Sequence, residues 1–197
     1  MNRMHHWICS SNRWKRTLAT EVFPRVFDGI EVGKNVLEVG PGPGLTTELL
    51  RLRCERLTCL ELDPIFASPL RQRLQNTNVT VVDGDATDMP FGDREFTAAV
   101  SLTMLHHVPT PALQDRLFCE VHRVLQPGAV FVGMDAADTW SLRLMHWGDT
   151  LVPIDPAHLE PRLRRAGFED VIVEAEKRAF RFSARRPVRM TRIVNST

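Results

Sequence analysis

The stretch Val36-Leu37-Glu38-Val39-Gly40-Pro41-Gly42-Pro43-Gly44 constrains this chain more than any other. Its first four residues read as a strand, three glycines then fall at every second position, and Leu45-Thr46-Thr47-Glu48-Leu49-Leu50 reads as the start of a helix. Glycine is the residue for a backbone that turns with positive φ or lies directly against a ligand, because a Cβ obstructs both. The first turn of a helix also presents N–H groups that no intrahelical carbonyl satisfies. Strand, tight loop and helix N-terminus within fifteen residues predict a cradle for a small molecule at the end of a strand.

The chain on either side of this cradle alternates strands and helices. Strands are predicted at 35–40, 56–62, 79–82, 96–102 and 129–134, with helices at 45–53, 64–75 and 110–125. Pro64 suits the first turn of its helix, whereas Pro69 is expected to kink or shorten it. Near-continuous apolar strands separated by helices indicate a parallel sheet covered on both faces. After residue 135 the pattern changes. Residues 136–155 show no clear period, 157–166 reads as a helix closed by Gly167, and 170–177 and 179–184 read as antiparallel neighbours. In the last of these Phe180 and Phe182 face one way, Arg181 and Ser183 the other. The expected fold is α/β, a doubly wound three-layer sandwich with a seven-stranded, mostly parallel sheet and an antiparallel C-terminal strand. A single domain is expected over 1–186, with an N-terminal helical cap at 1–34, a core at 35–186 and a tail at 187–197.

At 197 residues, 43% hydrophobic and 25% charged, the chain has the composition of an ordinary globular protein with room for a sizeable core. No apolar run approaches the length of a membrane span, and Met1 to Ser11 lacks the apolar region of a signal peptide, so a cytoplasmic protein is expected. Cys9, Cys54, Cys59 and Cys119 are scattered and read as reduced thiols. No cysteine or histidine cluster has ligand spacing, so no metal is expected. The net charge is +1, but residues 1–16 and 177–197 carry eleven Lys/Arg and no acid, leaving a middle of −10. Scattered arginines without interleaved aromatics are read as a solvated surface complementing an acidic body, which disfavours nucleic acid as a partner.

Glycines at 40, 42 and 44 give G-x-G-x-G, with Leu45 where a dinucleotide fingerprint has its third glycine. With Glu38 two residues before the first glycine, the arrangement resembles the class I S-adenosylmethionine-dependent methyltransferases, which have a Rossmann-like fold. The resemblance continues through Glu61 at the end of strand 2, Asp85-Ala86 after strand 3, Ser101-Leu102-Thr103-Met104-Leu105-His106-His107-Val108 after strand 4, Val124-Leu125-Gln126-Pro127-Gly128 before strand 5, and Ala166-Gly167-Phe168 before strand 6. It covers roughly residues 35–184. Two positions depart from the family's habit, Thr97 in place of a frequent acid and Ala129 in place of a second glycine.

The resemblance implies a cofactor, S-adenosyl-L-methionine, and a site for it. Gly40, Gly42 and Gly44 would approach its methionine part and Glu38 would help anchor the ammonium. Glu61, with Leu62 beside it, would accept from the ribose hydroxyls, since a carboxylate takes both as charge-assisted bonds. Asp85 and Ala86 would meet the adenine amine, Met89 or Phe91 would pack on the ring, and Ser101 would lie at the end of strand 4. Asp83 competes with Asp85, and Asp63 competes with Glu61 but reads as a helix cap. His106, His107 and Asp135 are the candidates for a general base, needed only where the acceptor must lose a proton. A substrate lid is expected from the N-terminal helices (His5, His6, Trp7, Trp14) and the 136–155 insert (Trp140, Met145, His146, Trp147), where three of the four tryptophans suit an apolar wall around a small, partly hydrophobic acceptor. Two other functions compete: an RNA or protein methyltransferase using the basic termini, and a non-catalytic binding protein on the same scaffold. Oligomeric state is not legible in the sequence.

Overall fold

A computed structural model describes residues 12–188, with side chains from Lys15 onward. The chain forms one seven-stranded sheet in the order β3-β2-β1-β4-β5-β7-β6. The strands are β1 (Asn35–Val39), β2 (Arg56–Glu61), β3 (Val79–Asp83), β4 (Phe96–Leu102), β5 (Leu125–Ala136), β6 (Glu169–Ala175) and β7 (Ala179–Arg185). All neighbouring pairs from β3 to β5 are parallel, and β7 runs antiparallel to both β5 and β6. The helices are α1 (Asn12–Thr17), α2 (Phe23–Val26), α3 (Leu45–Leu50), α4 (Pro64–Leu74), α5 (Pro111–Val124), α6 (Trp140–Met145) and α7 (Pro156–Arg165), with a π turn over Leu18–Val22 and a 3-10 turn over Leu105–His107.

The central strands are apolar on both faces because both faces are covered. Val36 and Leu37 in β1 and Ala98, Ala99 and Val100 in β4 are fully buried. One core packs α5 and α7 against the sheet through Leu117, Phe118, Val121 and Leu163, with Phe131, Phe180 and Phe182 from the strands. The other packs the π turn, α2, α3 and α4 through Leu18, Phe23, Leu50 and Leu70 onto Val36, Leu57 and Val100. This is the expected three-layer α/β arrangement. β1 lies between β2 and β4, so the chain winds outward in opposite directions from the β1/β4 seam. Open α/β sheets hold ligands beyond the strand ends at such a seam.

Three local expectations shift. Pro69 does not end its helix, which continues to Leu74; the carbonyl its missing N–H would have met belongs to Ile65, an exposed residue. The expected turn at 126–128 is absorbed into β5. Phe96 pairs with Leu125 and Ala98 with Val130, so the intervening residues loop out as an irregularity in the ladder. The insert at 136–155 contains a short helix, α6, capped by the Thr139 side chain.

The basic C-terminal segment is partly built into the fold. Arg181 pairs with Glu174 through two nitrogens at 2.7 and 2.8 Å. The Arg186 guanidinium donates to the carbonyls of His122 and Arg123, at 2.8 Å each, and of Leu125, satisfying the end of α5. Cys54, Cys59 and Cys119 are free thiols, and Cys9 lies outside the described residues, as do Arg189, Arg192, His5, His6 and Trp7. No helix among the described residues is long and apolar enough to cross a membrane.

Candidate functional site

The glycine loop turns where the sequence places it. Gly40 ends β1 with φ +68°, and a Cβ there would meet Met104 Cγ at 2.2 Å. Gly42, with φ +54°, donates its N–H to Glu61 Oε2 at 2.9 Å. The other oxygen of Glu61 accepts the Asp63 N–H at 3.0 Å. Two backbone donors from two loops thus pin one carboxylate, mostly buried, at the rim of a cavity of about 370 Å³. That volume lies at the lower end of small-molecule sites.

The cavity sits beyond the carboxyl ends of β1 to β4 and is lined by Gly40, Glu61, Leu62, Asp85, Ala86 and His107 among the expected site residues. Asp83, which competed with Asp85, is ion-paired to Arg71 at 2.7 Å and does not line it. Asp85 lines the cavity while one oxygen accepts the Thr87 N–H at 2.8 Å, which fixes its loop. Asp63 accepts the Ile65 N–H at 2.9 Å and caps α4.

Glu38, Gly42, Gly44 and Ser101 do not line the cavity. Glu38 turns into the protein, where it is buried and accepts from the hydroxyls of Thr46 and Thr47 in α3, the latter at 2.6 Å. Burial holds its carboxyl above the ordinary range, against the lowering effect of those hydroxyls. It braces the helix that follows the loop. Gly44 is the left-handed cap of that helix, and Ser101 is buried in β4. Cys59 Sγ lies 3.3 Å from Glu38, and burial pushes its thiol well up, so it is an inert neighbour.

Met89 and Phe91, expected against an aromatic ring of the ligand, pack elsewhere. Met89 is buried in the core with its N–H on Glu120 at 2.8 Å, and Phe91 meets Phe96 edge-on at 5.1 Å. The apolar wall is made by Phe66, Met104, Val108 and Leu113. Trp140 and Trp147 are exposed, at 78% and 81%, and do not line the cavity; the insert contributes Asp149 and Thr150. Thr103, also a lining residue, has φ +53°, a strained backbone state for a β-branched residue at the end of β4.

Behind His107, the 3-10 turn and β5 bring two further candidates together. Asp135 Oδ1 meets His106 Nδ1, Oδ2 accepts the His106 N–H at 3.1 Å, and Oδ1 also accepts the Ala136 N–H at 2.7 Å. Both side chains are buried. His146, which no sequence pattern tied to these residues, packs against them; burial lowers its pKa from the usual histidine range. Its proximity depends on a fold of the insert that no local spacing reveals.

Residues 37–133 match the model of a methyltransferase domain. A 2-methyl-6-phytyl-1,4-hydroquinone methyltransferase of Oryza sativa subsp. japonica is 30% identical over 146 residues, which are 72% of this chain and 43% of that protein. A probable ribosomal RNA small subunit methyltransferase A of Haloarcula marismortui is 41% identical over 71 residues, 34% of this chain and 24% of that one. The chain spans less than half the length of these curated relatives. Among solved structures, Haemonchus contortus phosphoethanolamine N-methyltransferase 2, in complex with phosphomonomethylethanolamine and S-adenosylhomocysteine, superposes with a TM-score of 0.75 at 16% identity, over 93% of this chain and 56% of that one.

Proposed function

The chain belongs to the class I S-adenosylmethionine-dependent methyltransferases, and from that premise we propose that it transfers a methyl group from S-adenosylmethionine to a small, partly hydrophobic acceptor. The observation that carries the proposal is the Glu61 carboxylate, held by the Gly42 and Asp63 N–H groups at the rim of the cavity and facing the same space as Asp85. A carboxylate fixed by two donors keeps lone pairs for vicinal hydroxyls, which suits a ribose. The residues present fit a nucleoside in a second respect. The space beside Gly40 is where a side chain would collide with Met104, so only a bare backbone leaves the cavity wall where it is.

On this reading Glu61 accepts from the ribose hydroxyls, Asp85 and Ala86 meet the adenine edge, and Phe66, Val108 and Leu113 flank the ring. When held by these residues, S-adenosylmethionine would supply an activated sulfonium methyl for in-line displacement. The chain's own work is then to align the acceptor and keep water away, which is worth about 7–11 kcal/mol in well-oriented systems. His107 lines the cavity, which supports reading it as the base where an acceptor must lose a proton. The apolar stretch around Met104 and Val108 favours an acceptor with a hydrophobic part, in keeping with the phytyl-hydroquinone relative. The arginines at 181 and 186 are occupied by Glu174 and by the end of α5, which weakens the case for RNA.

Calorimetry with S-adenosylhomocysteine tests the shared step. The native chain is expected to bind it, and Glu61→Ala should weaken binding by roughly 10- to 100-fold or more, the loss of one or two hydrogen bonds to a charged group. Unchanged affinity in that variant would refute the ribose assignment, and no binding by the folded native chain would sink the methyl-transfer reading.

A further inference from the structure

Three imidazoles converge where the turn after β4 meets the insert after β5. The ring centroids of His106 and His107 are 4.3 Å apart, those of His106 and His146 5.0 Å, and those of His107 and His146 5.1 Å. One ligand atom from each lies within 4.8 Å of those of the other two. His106 and His146 are each 2% exposed, and His107 is half-buried at the cavity wall. We propose that His106, His107 and His146 form a binding site for one divalent transition-metal ion of the zinc type.

The orientation of the rings is what distinguishes this cluster from a chance packing of histidines. Asp135 engages Nδ1 of His106, so that nitrogen carries the proton and the lone pair falls on Nε2. The His106 Nε2 is buried and has no hydrogen-bond partner among the described residues. Leaving a buried polar atom unsatisfied is costly, and such an atom calls for an explanation. A metal ion supplies one. His146 Nδ1 lies 2.8 Å from the Leu142 carbonyl, which can only accept, so its lone pair also falls on Nε2. A carboxylate on the far nitrogen of a histidine is the usual outer shell of a zinc ligand, fixing its tautomer and raising its basicity. Asp135 is itself fixed by the N–H groups of His106 and Ala136.

The distances are compatible with ligation after a small closure. Zinc–imidazole bonds of about 2.0–2.1 Å put nitrogens about 3.3 Å apart in a tetrahedron. Ligand atoms that lie within 4.8 Å of one another have at most about 1.5 Å to close to reach that spacing. An all-imidazole set favours zinc, copper, nickel or cobalt over magnesium or calcium, which prefer oxygen. Three protein ligands leave a fourth position, as in zinc sites that also bind an exogenous oxygen. The expectation from sequence of no metal rested on spacing alone, and the third histidine lies far along the chain. Ion binding can be tested apart from methyl transfer, since an ion can bind with no nucleoside present; a His107 lone pair given to the ion cannot also take a proton, so with the ion bound His107 is a ligand and not the base.

The test uses the full chain, free of any affinity tag and carrying His5→Ala and His6→Ala so that the terminal pair contributes nothing. After chelator treatment it is titrated with zinc by calorimetry, and with cobalt by visible absorption, in the absence of S-adenosylmethionine. The expected result is one zinc per chain, a tetrahedral cobalt spectrum, and thermal stabilisation by zinc. His107→Ala, at the half-buried position, should keep its circular dichroism, lose the cobalt spectrum and bind zinc at least about 100-fold more weakly. Asp135→Asn should lose about 10- to 100-fold, as outer-shell changes do. No zinc bound by the folded chain would overturn the proposal. So would one zinc bound with the same affinity by His107→Ala and His146→Ala, which would assign the ion elsewhere.

Discussion

Two carboxylates on neighbouring strands, Glu38 and Glu61, illustrate how one residue type is put to different uses. Glu61 faces the cavity. Glu38 is sealed beneath α3 at 2% exposure, and desolvation raises its pKa. Because the folded state binds that proton more readily than the unfolded chain, its contribution to stability is full below the ordinary glutamate value and is lost as pH rises through the raised one. Glu38→Gln keeps one acceptor oxygen for a threonine hydroxyl, turns its NH2 towards the other, which can accept, and cannot ionise. It should therefore gain stability relative to the native chain as pH rises from the ordinary glutamate value through the raised one, read as the difference between urea midpoints. A pH-independent difference would contradict the assignment. The positions of Gly40, Glu61 and Asp85 at strand ends were legible because strand, loop and helix follow one another locally. That Glu38 turns inward was not, since only the packing of Thr46 and Thr47 decides it.

At the scale of elements, α5 braces the cavity from behind. Gln114, 1% exposed, donates to the carbonyls of Leu105 at 3.2 Å and Val152 at 2.8 Å, while its oxygen accepts from Arg162 of α7 at 3.0 Å. The Val152 N–H in turn donates to the His106 carbonyl at 2.8 Å. One side chain therefore ties the histidine turn to the insert that supplies Asp149 and Thr150. Gln114→Ala leaves those buried carbonyls short of a donor, at a cost of about 1–3 kcal/mol. It should also weaken S-adenosylhomocysteine binding, because His107 and Thr150 lose their common tie. Urea unfolding and calorimetry on the same variant check both. The regular elements could be read from apolar runs, proline at first turns and glycine after last turns. The insert could not, because its conformation depends on contacts such as these with distant residues. For the same reason Phe66 joined the cavity wall only with the structure, Met89 and Phe91 left it, and His146, expected in the insert over the acceptor, lies beside His106 and His107 rather than on the wall.

For the whole molecule, the two halves of the sheet differ in what closes them. The half holding the cavity rim, β3-β2-β1-β4, comes from one continuous run of chain. The other half needs β7, whose Phe180, Phe182 and Ala184 are buried in the core against α5 and α7. A chain ending after Ala175 loses those side chains and the partner of both β5 and β6. It should show no cooperative unfolding transition by circular dichroism; a sharp transition would mean that the first six strands suffice.

The strand order also has a consequence in time. β7 is the last of this sheet's strands to be synthesised, yet it lies inside the sheet, between two strands made before it. At ribosomal rates, the about 50 residues separating the end of β5 from the end of β7 take about 2–10 s to appear. Throughout that interval β5 presents an unpaired edge of the kind that invites pairing with other chains. β6 emerges first and could take the vacant place, so correct assembly requires the nascent chain to wait for its final strand or to give up an earlier pairing when that strand arrives.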